Sequence, residues 1–319
     1  MDTTRCALVA FCLTAFALGC DDPKPPSIPQ PEPLKPPPAA VAPPAPVRET
    51  VALHWNPSIA SGRGLLIDVT TDPKHRSVHL VNAHDDGHRS FDVQMPLHVS
   101  LYAAFGAALN TDQRRVALIS QDSGLSTTKV KAHGAGKLRR TVGSKDPVTF
   151  VISETGIPMS ELDSQTLQMV GPVMQLAPTA VGVGDSWPLT SGQFEIHDED
   201  WIEKRHDVST HAKLTAIRHT PDGTFADIEI EGDETLEGEF NIDSIVRRKN
   251  THSVMSQSLR GHGTFAVEAG TWQRLELTST MKMSGLSKAD VLMSSVITPV
   301  ALPAKVQSQA AGALKATGK

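Results

Sequence analysis

Four histidines in a short segment are the first residues whose types suggest chemistry. They are His75, His79, His84 and His88. Imidazole is a good ligand for Zn²⁺ or Cu²⁺, and two aspartates lie between the last two histidines, so this cluster is a candidate metal site. The spacing lacks a helical His-Glu-x-x-His arrangement, and Asp85-Asp86-Gly87 is typical of a hairpin turn. On strands, His79 and His84 fall on opposite faces, which favours solvated histidines over a metal site.

Basic residues form a second candidate site. Six of them lie within seventeen positions that contain no acid: Lys129, Lys131, Lys137, Arg139, Arg140 and Lys145. Such a patch attracts anionic lipid headgroups or acidic polymers. The alternative is a solvated basic edge that prevents one sheet from pairing with another. No aromatic residue lies among them and the net charge is −5, so the sequence predicts no nucleic-acid partner.

Acidic residues gather around Trp201: Glu195, Asp198, Glu199, Asp200 and Glu203. Their spacing fits no EF-hand calcium loop, and clustered acids on an exposed strand are usually solvated. An enzyme would need these acids within about 15 Å of the histidine cluster, so that acid and base converge in one cleft. Gly-x-Ser-x-Gly and related nucleophile motifs are absent. The sequence therefore predicts neither an enzyme nor a cofactor.

The N-terminus has the pattern of an export signal. A short polar head with Arg5 precedes thirteen residues, Cys6 to Leu18, that are apolar apart from Thr14. Thirteen helical residues span about 20 Å, too short to cross a bilayer. Phe16-Ala-Leu-Gly-Cys20 resembles the bacterial lipobox, although Ala17 stands where Leu is commonest. The resemblance implies cleavage after residue 19 and acylation of Cys20, with acyl chains such as palmitate. A plain secretory signal or an uncleaved anchor is the alternative.

Cysteine usage agrees with the lipobox. The three cysteines stand at positions 6, 12 and 20, so Cys20 is the only thiol left after cleavage. Neither an intramolecular disulfide nor a cysteine-based zinc site is then possible. We expect a protein of the bacterial envelope, anchored to the membrane through lipid at its periplasmic face or outer surface. The sequence does not assign the leaflet.

A proline-rich segment follows the anchor. Residues 20–47 form the lipidated cysteine and a linker, in which twelve prolines occupy 27 positions. Proline fixes φ and donates no backbone hydrogen bond, so we expect a stalk without secondary structure. Polyproline II would give it a reach of roughly 80 Å. A proline-rich ligand for a partner domain is the alternative.

The body, residues 48–295, is predicted to be mainly β, with antiparallel sheets built from hairpins. Leu275, Leu277, Met281 and Met283 alternate with polar residues, a period of two that predicts a half-buried strand. The turn signals Pro221-Asp222-Gly223 and Glu268-Ala-Gly270 predict two hairpins. Further strands are predicted at 51–55, 64–71, 76–82, 89–104, 114–121, 125–133, 147–153, 194–207 and 245–257.

One helix is predicted near 159–170, with Ser160 as N-cap and Gly171-Pro172 as its end. The body also allows a division into two sub-sheets, 48–155 and 175–290. Residues 296–319 are rich in alanine and glutamine, and we expect a disordered, flexible tail with room for a short helix at 304–316.

One motif of the body resembles a family. Val181-Gly-Val-Gly-Asp185-Ser-Trp187-Pro resembles the Gly-Asp-Ser-Trp signature of an uncharacterised family of β-rich bacterial envelope proteins, and Gly261-His-Gly263 fits its later hairpin. The resemblance spans roughly 145–285 and implies an exported antiparallel domain without an assigned activity. Physically, Gly184-Asp185 is a turn before a strand. We expect Trp187 to fill the core.

The sequence leads to three functional hypotheses. The first is a non-catalytic envelope lipoprotein whose β domain binds a ligand or partner, in its sharpest form a lipid or hydrophobic ligand. The second is a structural or protein-interaction module. The third, and least favoured, is a hydrolase or metal-binding protein that uses the His75–His88 cluster. An apolar cavity of several hundred cubic ångströms would favour the carrier, whereas a flat exposed patch would favour the interaction module.

Overall fold

The structure, a computed structural model, describes most of the predicted body. The described residues are 48–81, 90–110, 112–120, 131–132, 147–159, 170–189, 201–240 and 252–316. All of them lie in one compact unit, Val47–Lys319. They form two antiparallel sheets and, within these ranges, one helix of seven or more residues. The predicted fold class, mainly antiparallel β, is confirmed.

Fourteen strands make up the two sheets of the described part. Their bounds are β1 Thr50–Val51, β2 Arg63–Val81, β3 Ser90–Gln94, β4 His98–Ala108, β5 Gln113–Ser120, β6 Lys131–Ala132, β7 Val148–Ser153, β8 Val181–Gly182, β9 Ser186–Pro188, β10 Trp201–Thr220, β11 Gly223–Phe240, β12 His252–Ala266, β13 Thr271–Ser284 and β14 Lys288–Ala301. Strands β1 and β8 pair with each other in a small sheet of their own. A 3₁₀ turn, Ile59–Ser61, precedes β2.

The large sheet joins both halves of the body. Its order is β7-β5-β4-β2-β14-β13-β12-β11-β10-β9, with β3 and β6 attached beside β2. The division into sub-sheets 48–155 and 175–290 is therefore wrong. Strand β2 belongs to the first half, yet it pairs along its length with β14 near the end of the chain. Such a pairing leaves no local signal in the sequence, because it joins residues more than 200 positions apart.

Both predicted hairpins are present in the sheet. Strands β10 and β11 meet at the Thr220–Gly223 turn, and β12 and β13 meet across residues 267–270. Gly223 and Gly270 have φ of 126° and 59°, values that glycine adopts without strain. The predicted alternation also holds, because Ala226, Ile228 and Ile230 are all buried.

Other strand boundaries differ from the prediction. Segments 64–71 and 76–82 form one strand, β2, because a bulge between Thr71 and Arg76 keeps both parts paired with β14. Segment 89–104 forms two strands instead of one, since the chain breaks at Pro96, which has no N–H to donate. Strand 51–55 is shorter than predicted and ends at Val51. Segments 125–133, 194–207 and 245–257 extend into residues outside the described ranges.

The predicted flexible tail, 296–319, is wrong for most of its length. Strand β14 continues to Ala301, and helix α1, Ala304–Ala316, follows it. Alanine is both the best helix former and small, so α1 packs closely against the sheet. Val306 and Ala310 are buried against residues that include Tyr102 and Ile119, on the side of β4 and β5 that faces away from the main core. We call this side of the sheet the outer face. The body therefore ends beyond residue 295, and the short helix expected at 304–316 is confirmed.

The predicted helix 159–170 lies mostly outside the described ranges, but its end is visible. Residues 170–174 are helical, so the helix does not stop at Gly171-Pro172. Pro172 removes its own donor but leaves the bond from Gln175 N to Gly171 O, at 3.1 Å. The last carbonyls of a helix lack partners within it. Here Trp272 Nε1 donates to Val173 O at 2.7 Å and Trp55 Nε1 to Met174 O at 2.6 Å.

Trp55 also shows how the sheet bends. Its ring stacks on Phe105 of β4 at 5.2 Å and meets Phe265 of β12 edge-on at 5.6 Å. Strands β4 and β12 are four places apart in the sheet, about 19 Å if it were flat. One ring contacts both, so the sheet curls around the core. We call this concave side the inner face. Segments 50–57 and 170–181 contribute the residues that fill it.

An ion pair on the outer face gives a prediction for pH. Arg218 donates to both carboxylate oxygens of Asp227 at 2.6 and 2.7 Å, and Thr264 adds a third bond, so the pKa of Asp227 lies below its usual value. A carboxylate whose pKa is lower in the folded than in the unfolded protein stabilises the fold at pH values above the unfolded pKa. This stabilisation is lost as the pH falls through the folded pKa. We expect Asp227→Asn to cost about 1–2 kcal/mol at pH 7 and much less near pH 2. Urea unfolding at both values measures the difference, and an equal cost at both would contradict it.

Candidate functional site

The structure places two of the four clustered histidines, both on β2. His75 Nδ1 lies 2.7 Å from Asp290 Oδ2, and His79 Nδ1 lies 2.7 Å from Asp92 Oδ1. These two carboxylates belong to strands on opposite sides of β2, so the two imidazoles have separate partners. His84 and His88 lie outside the described ranges. Among the residues described, no group of three or more His, Cys, Asp or Glu side chains is arranged to hold a metal ion.

The other charged candidates are placed only in part. Lys131 pairs through its backbone with Asp92, whereas Lys129, Lys137, Arg139 and Arg140 lie outside the described ranges. Of the acidic cluster, the ranges include only Glu203, on β10. Strands β2 and β10 are five places apart in the sheet, about 24 Å along it. Among the described residues, the histidines of β2 and the acidic cluster around Trp201 are not brought together. The shared cleft of acid and base that an enzyme would require therefore has no support.

The Gly-Asp-Ser-Trp segment forms a structural turn. Asp185 Oδ2 accepts the N–H of Gly182 at 2.8 Å, and Asp185 Oδ1 lies 2.8 Å from the guanidinium of Arg48. The pKa of Asp185 lies below its usual value. The hydrogen bond from the Gly182 N–H is the largest cause, and the hydrogen bond from Arg48 is the second. Gly184 has φ of 93°, and Trp187 is only 4% exposed. Trp187 therefore fills the core as predicted, and the motif holds β8 and β9 in place.

A cluster that the sequence analysis did not identify lies on the inner face, beside the main core, with which it shares Met293. We call it the methionine face. Its residues are Met95, Met255, Met281, Met283 and Met293, with Val78, Leu236, Ala289, Val291 and Trp201. Met255 is buried, and the other four methionines are only partly buried. Methionine is flexible and polarizable, and proteins use it on surfaces that adapt to varied apolar ligands.

The pairing register shows how the methionine face is assembled. Residues directly opposite on antiparallel strands project to the same face. One row across the sheet runs Val78, Ala289, Met283, Met255, Leu236 and His206. The next row runs Arg76, Val291, Met281, Gln257 and Glu234. The face is thus a band about 19 Å wide from β2 to β11, mostly apolar, with Arg76 at its β2 end and Glu234 at its β11 end.

Several polar side chains also belong to this band. His206 Nε2 lies 2.8 Å from Glu234 Oε1, and the side chain of Glu234 is only 7% exposed. At the opposite end, Arg76 Nη1 donates to Met95 O at 3.3 Å, while Arg76 Nε is buried without a hydrogen-bond partner. Trp201 Nε1 is also buried without one. A buried N–H that lacks an acceptor costs about 1–3 kcal/mol.

The described residues also form an open groove of about 420 Å³ on the outer face. It is lined by Glu229, Ile230, Glu231, Arg260, Gly261, His262, Glu276 and Thr278. Its side chains are mostly charged, and it lies on the opposite side of β11–β13 from the methionine face. The carrier hypothesis expected an apolar cavity of this size, and this groove does not meet that expectation. The apolar candidate is instead the partly exposed methionine face.

Comparison with known proteins adds no family. The chain matches no family model and no curated protein. The resemblance of the Gly-Asp-Ser-Trp segment to an envelope family therefore stays a prediction. In the described ranges, no helix has both the length and the apolar character needed to cross a membrane.

Proposed function

We propose that this chain is a lipoprotein of the bacterial envelope, anchored by acyl chains on Cys20, whose β domain binds a lipid or other hydrophobic ligand on the methionine face. The observation that carries the binding part is the set of four partly exposed methionines on this face, Met281 and Met283 of β13, Met293 of β14 and Met95 after β3, beside a buried apolar floor. Apolar side chains that remain partly exposed side by side can mark ligand or interaction sites. The domain acts as a carrier or sensor and performs no catalysis.

The anchor part of the proposal rests on the sequence before residue 48. A lipobox-like cysteine followed by a proline-rich stalk explains both the single mature thiol and the composition of residues 21–47. The stalk would hold the β domain roughly 80 Å from the membrane surface at full extension. A domain at that distance can meet ligands or partners away from the leaflet that holds it.

Replacing the acylated cysteine tests the anchor. We expect Cys20→Ser to move the protein from the membrane fraction to the soluble fraction, or to leave the precursor uncleaved, because serine cannot receive the thioether-linked lipid. Cys12→Ser is the matched control, since it makes the same change inside the leader and should leave fractionation unchanged. Mass spectrometry of the N-terminus identifies the acyl chains. An unmodified Cys20 in the wild-type protein, or unchanged membrane association of Cys20→Ser, would contradict the anchor.

A charge on the methionine face tests ligand binding. We expect wild-type protein purified from membranes to carry lipid detectable by extraction and mass spectrometry, and Met281→Lys to lower the amount at least about tenfold, because burial of a methionine side chain contributes about 1.5–3 kcal/mol. Thr278→Lys is the control, since Thr278 lies on the same strand but on the exposed outer face. Equal lipid in both variants, or none in the wild type, would contradict the proposal.

The second candidate is a protein-interaction or structural module of the envelope, and one observation favours it. Within the described residues, residues 201–209 of β10 pair only with β11, so their other edge is open. Open edges accept a strand from another chain. Charged residues on this segment, including Glu203 and Arg205, oppose such pairing. We therefore rank this candidate below ligand binding. The hydrolase and metal alternatives gain nothing from the described residues.

A further inference from the structure

Residues 48–57, which we call the strap, cross the inner face in the manner of a bound peptide. Val51, Leu53 and Trp55 are buried, with at most 9% of each exposed, whereas the residues between them are exposed. An extended peptide bound in a groove shows the same alternation, because every second side chain enters a pocket. The strap therefore has the form of a ligand that belongs to the chain itself.

Glycines on three separate segments line the strap, and we call the surface that they line the strap groove: Gly156, Gly182 and Gly270. A Cβ added to any of them would come within 2.8 Å of a strap atom, closer than real side chains approach. At two of them the approached atoms include main-chain oxygens of the strap, those of Glu49 and His54. The absence of side chains at these positions lets an extended backbone lie flat in the groove.

Backbone bonds contribute little to the hold on the strap among the described residues. Strand β1 pairs with β8 over two residues, and Trp55 N and Asn56 N each donate one bond to a carbonyl of another segment, at 3.0 and 2.9 Å. Arg48 and Glu49 add ion pairs that are exposed, and exposed pairs stabilise weakly. The strap is thus held mainly by its three buried side chains, and its release breaks no long ladder.

A short segment, residues 57–62, joins the strap to β2. None of its residues is buried. Its 3₁₀ turn is closed by bonds within the segment, from Ser61 N to Ser58 O and from Gly62 N to Ile59 O. When this turn opens, six residues span about 20 Å, so the segment can act as a hinge that carries the strap to a neighbouring molecule.

We infer that two copies of this chain exchange their straps, each placing residues 48–57 in the strap groove of the other. The occupant is a second copy because the groove already fits this sequence, and every strap contact is kept when the same sequence enters from another chain. Opening of the hinge is the structural cost. The inference goes beyond the proposed ligand binding, since the exchange leaves the methionine face unchanged.

Single cysteines on the two sides of the strap contact test the exchange. Val51 and Val181 stand directly opposite each other on β1 and β8. Opposite Cα atoms lie about 4.5–5.5 Å apart, within the range for a disulfide. Full chains carrying Val51→Cys and Val181→Cys are purified from membranes, mixed in urea, refolded together at high concentration and oxidised. We expect a disulfide-linked heterodimer.

Thr278→Cys is the matched control for Val181→Cys, because it places a thiol on the outer face, away from the strap. The yield of heterodimer with Val181→Cys should be at least about tenfold higher, since a thiol held opposite its partner reacts at a millimolar effective concentration. The wild-type chain, treated in the same way, should give no linked dimer, which controls for Cys20.

A double variant, Val51→Cys with Val181→Cys in one chain, fixes the strap in its own groove when it is refolded dilute and oxidised. Native mass spectrometry should show that it stays monomeric when concentrated. Monomers alone from the mixed single variants, while the double variant forms its internal disulfide, overturn the inference. A dimer in which the introduced thiols remain free also overturns it, because another surface then joins the copies. In both cases the proposed anchor and hydrophobic-ligand function stand.

Discussion

Trp55→Ala is expected to destabilise the β domain by about 3–5 kcal/mol, the range for truncating a fully buried tryptophan. Trp55 is 2% exposed and lies where three parts of the core meet: Phe105 of β4, Phe265 of β12 and the helical turn at 170–174. Alanine removes both ring contacts and leaves the carbonyl of Met174 without its donor. A lower urea midpoint with an unchanged m-value measures the loss.

Trp55→Phe separates the packing contribution from the hydrogen bond. Phenylalanine keeps an aromatic ring between Phe105 and Phe265 but cannot donate to Met174 O. We expect a cost of about 1–2 kcal/mol, the value for one buried hydrogen bond with some loss of volume. A cost below 1 kcal/mol for Trp55→Ala would mean that the core does not depend on this junction.

Gly156→Ala is the second large effect, and it acts on the same junction. Gly156 has φ of 83°, where a side chain is strained, and an added Cβ would overlap the carbonyl group of Met174 and approach Trp55 Nε1 to 2.8 Å. Strain and overpacking each cost about 1–3 kcal/mol. We expect a destabilisation of the order of the Trp55→Ala effect, with loss of soluble expression as the extreme outcome.

Gly312→Ala is the control for that substitution, with the opposite expected sign. Gly312 lies inside α1, and an added Cβ would meet no atom within 4 Å. Alanine in a helix interior is favoured over glycine by about 0.5–1 kcal/mol, so this variant should be more stable than the wild type. Destabilisation by Gly312→Ala would contradict the packing of α1, and tolerance of Gly156→Ala would contradict the close approach to Met174.

Local patterns predicted much of the sheet. The alternation in β11 and β13 and the turns at Gly223 and Gly270 were read directly from neighbouring residues, because side-chain direction alternates along any strand and glycine marks positive φ. The burial of Trp187 followed from its place after the Gly184-Asp185 turn. These features depend on contacts within a few residues along the chain.

The methionine face could not be predicted, since its residues come from distant segments. The alternation of β13 showed Met281 and Met283 on one side of a strand, but not that Met255 and Met293 lie beside them. That neighbourhood depends on the register of β12 and β14 against β13. A shift of one residue in either pairing would turn those side chains to the other face. The row from Arg76 to Glu234 depends on four such registers at once.

The sequence by itself determined the strand-and-hairpin character of this protein, because period-two hydrophobicity and turn residues act locally. It also misled at the C-terminus, where composition indicated a tail. Only the tertiary structure decided that β14 pairs with β2, that α1 packs on β4 and β5, that Trp55 joins two sides of a curled sheet, and that five methionines share one face with Arg76. The physical reason is that burial and strand register are settled by long-range pairing, which brings together residues that carry no mark of one another in the chain.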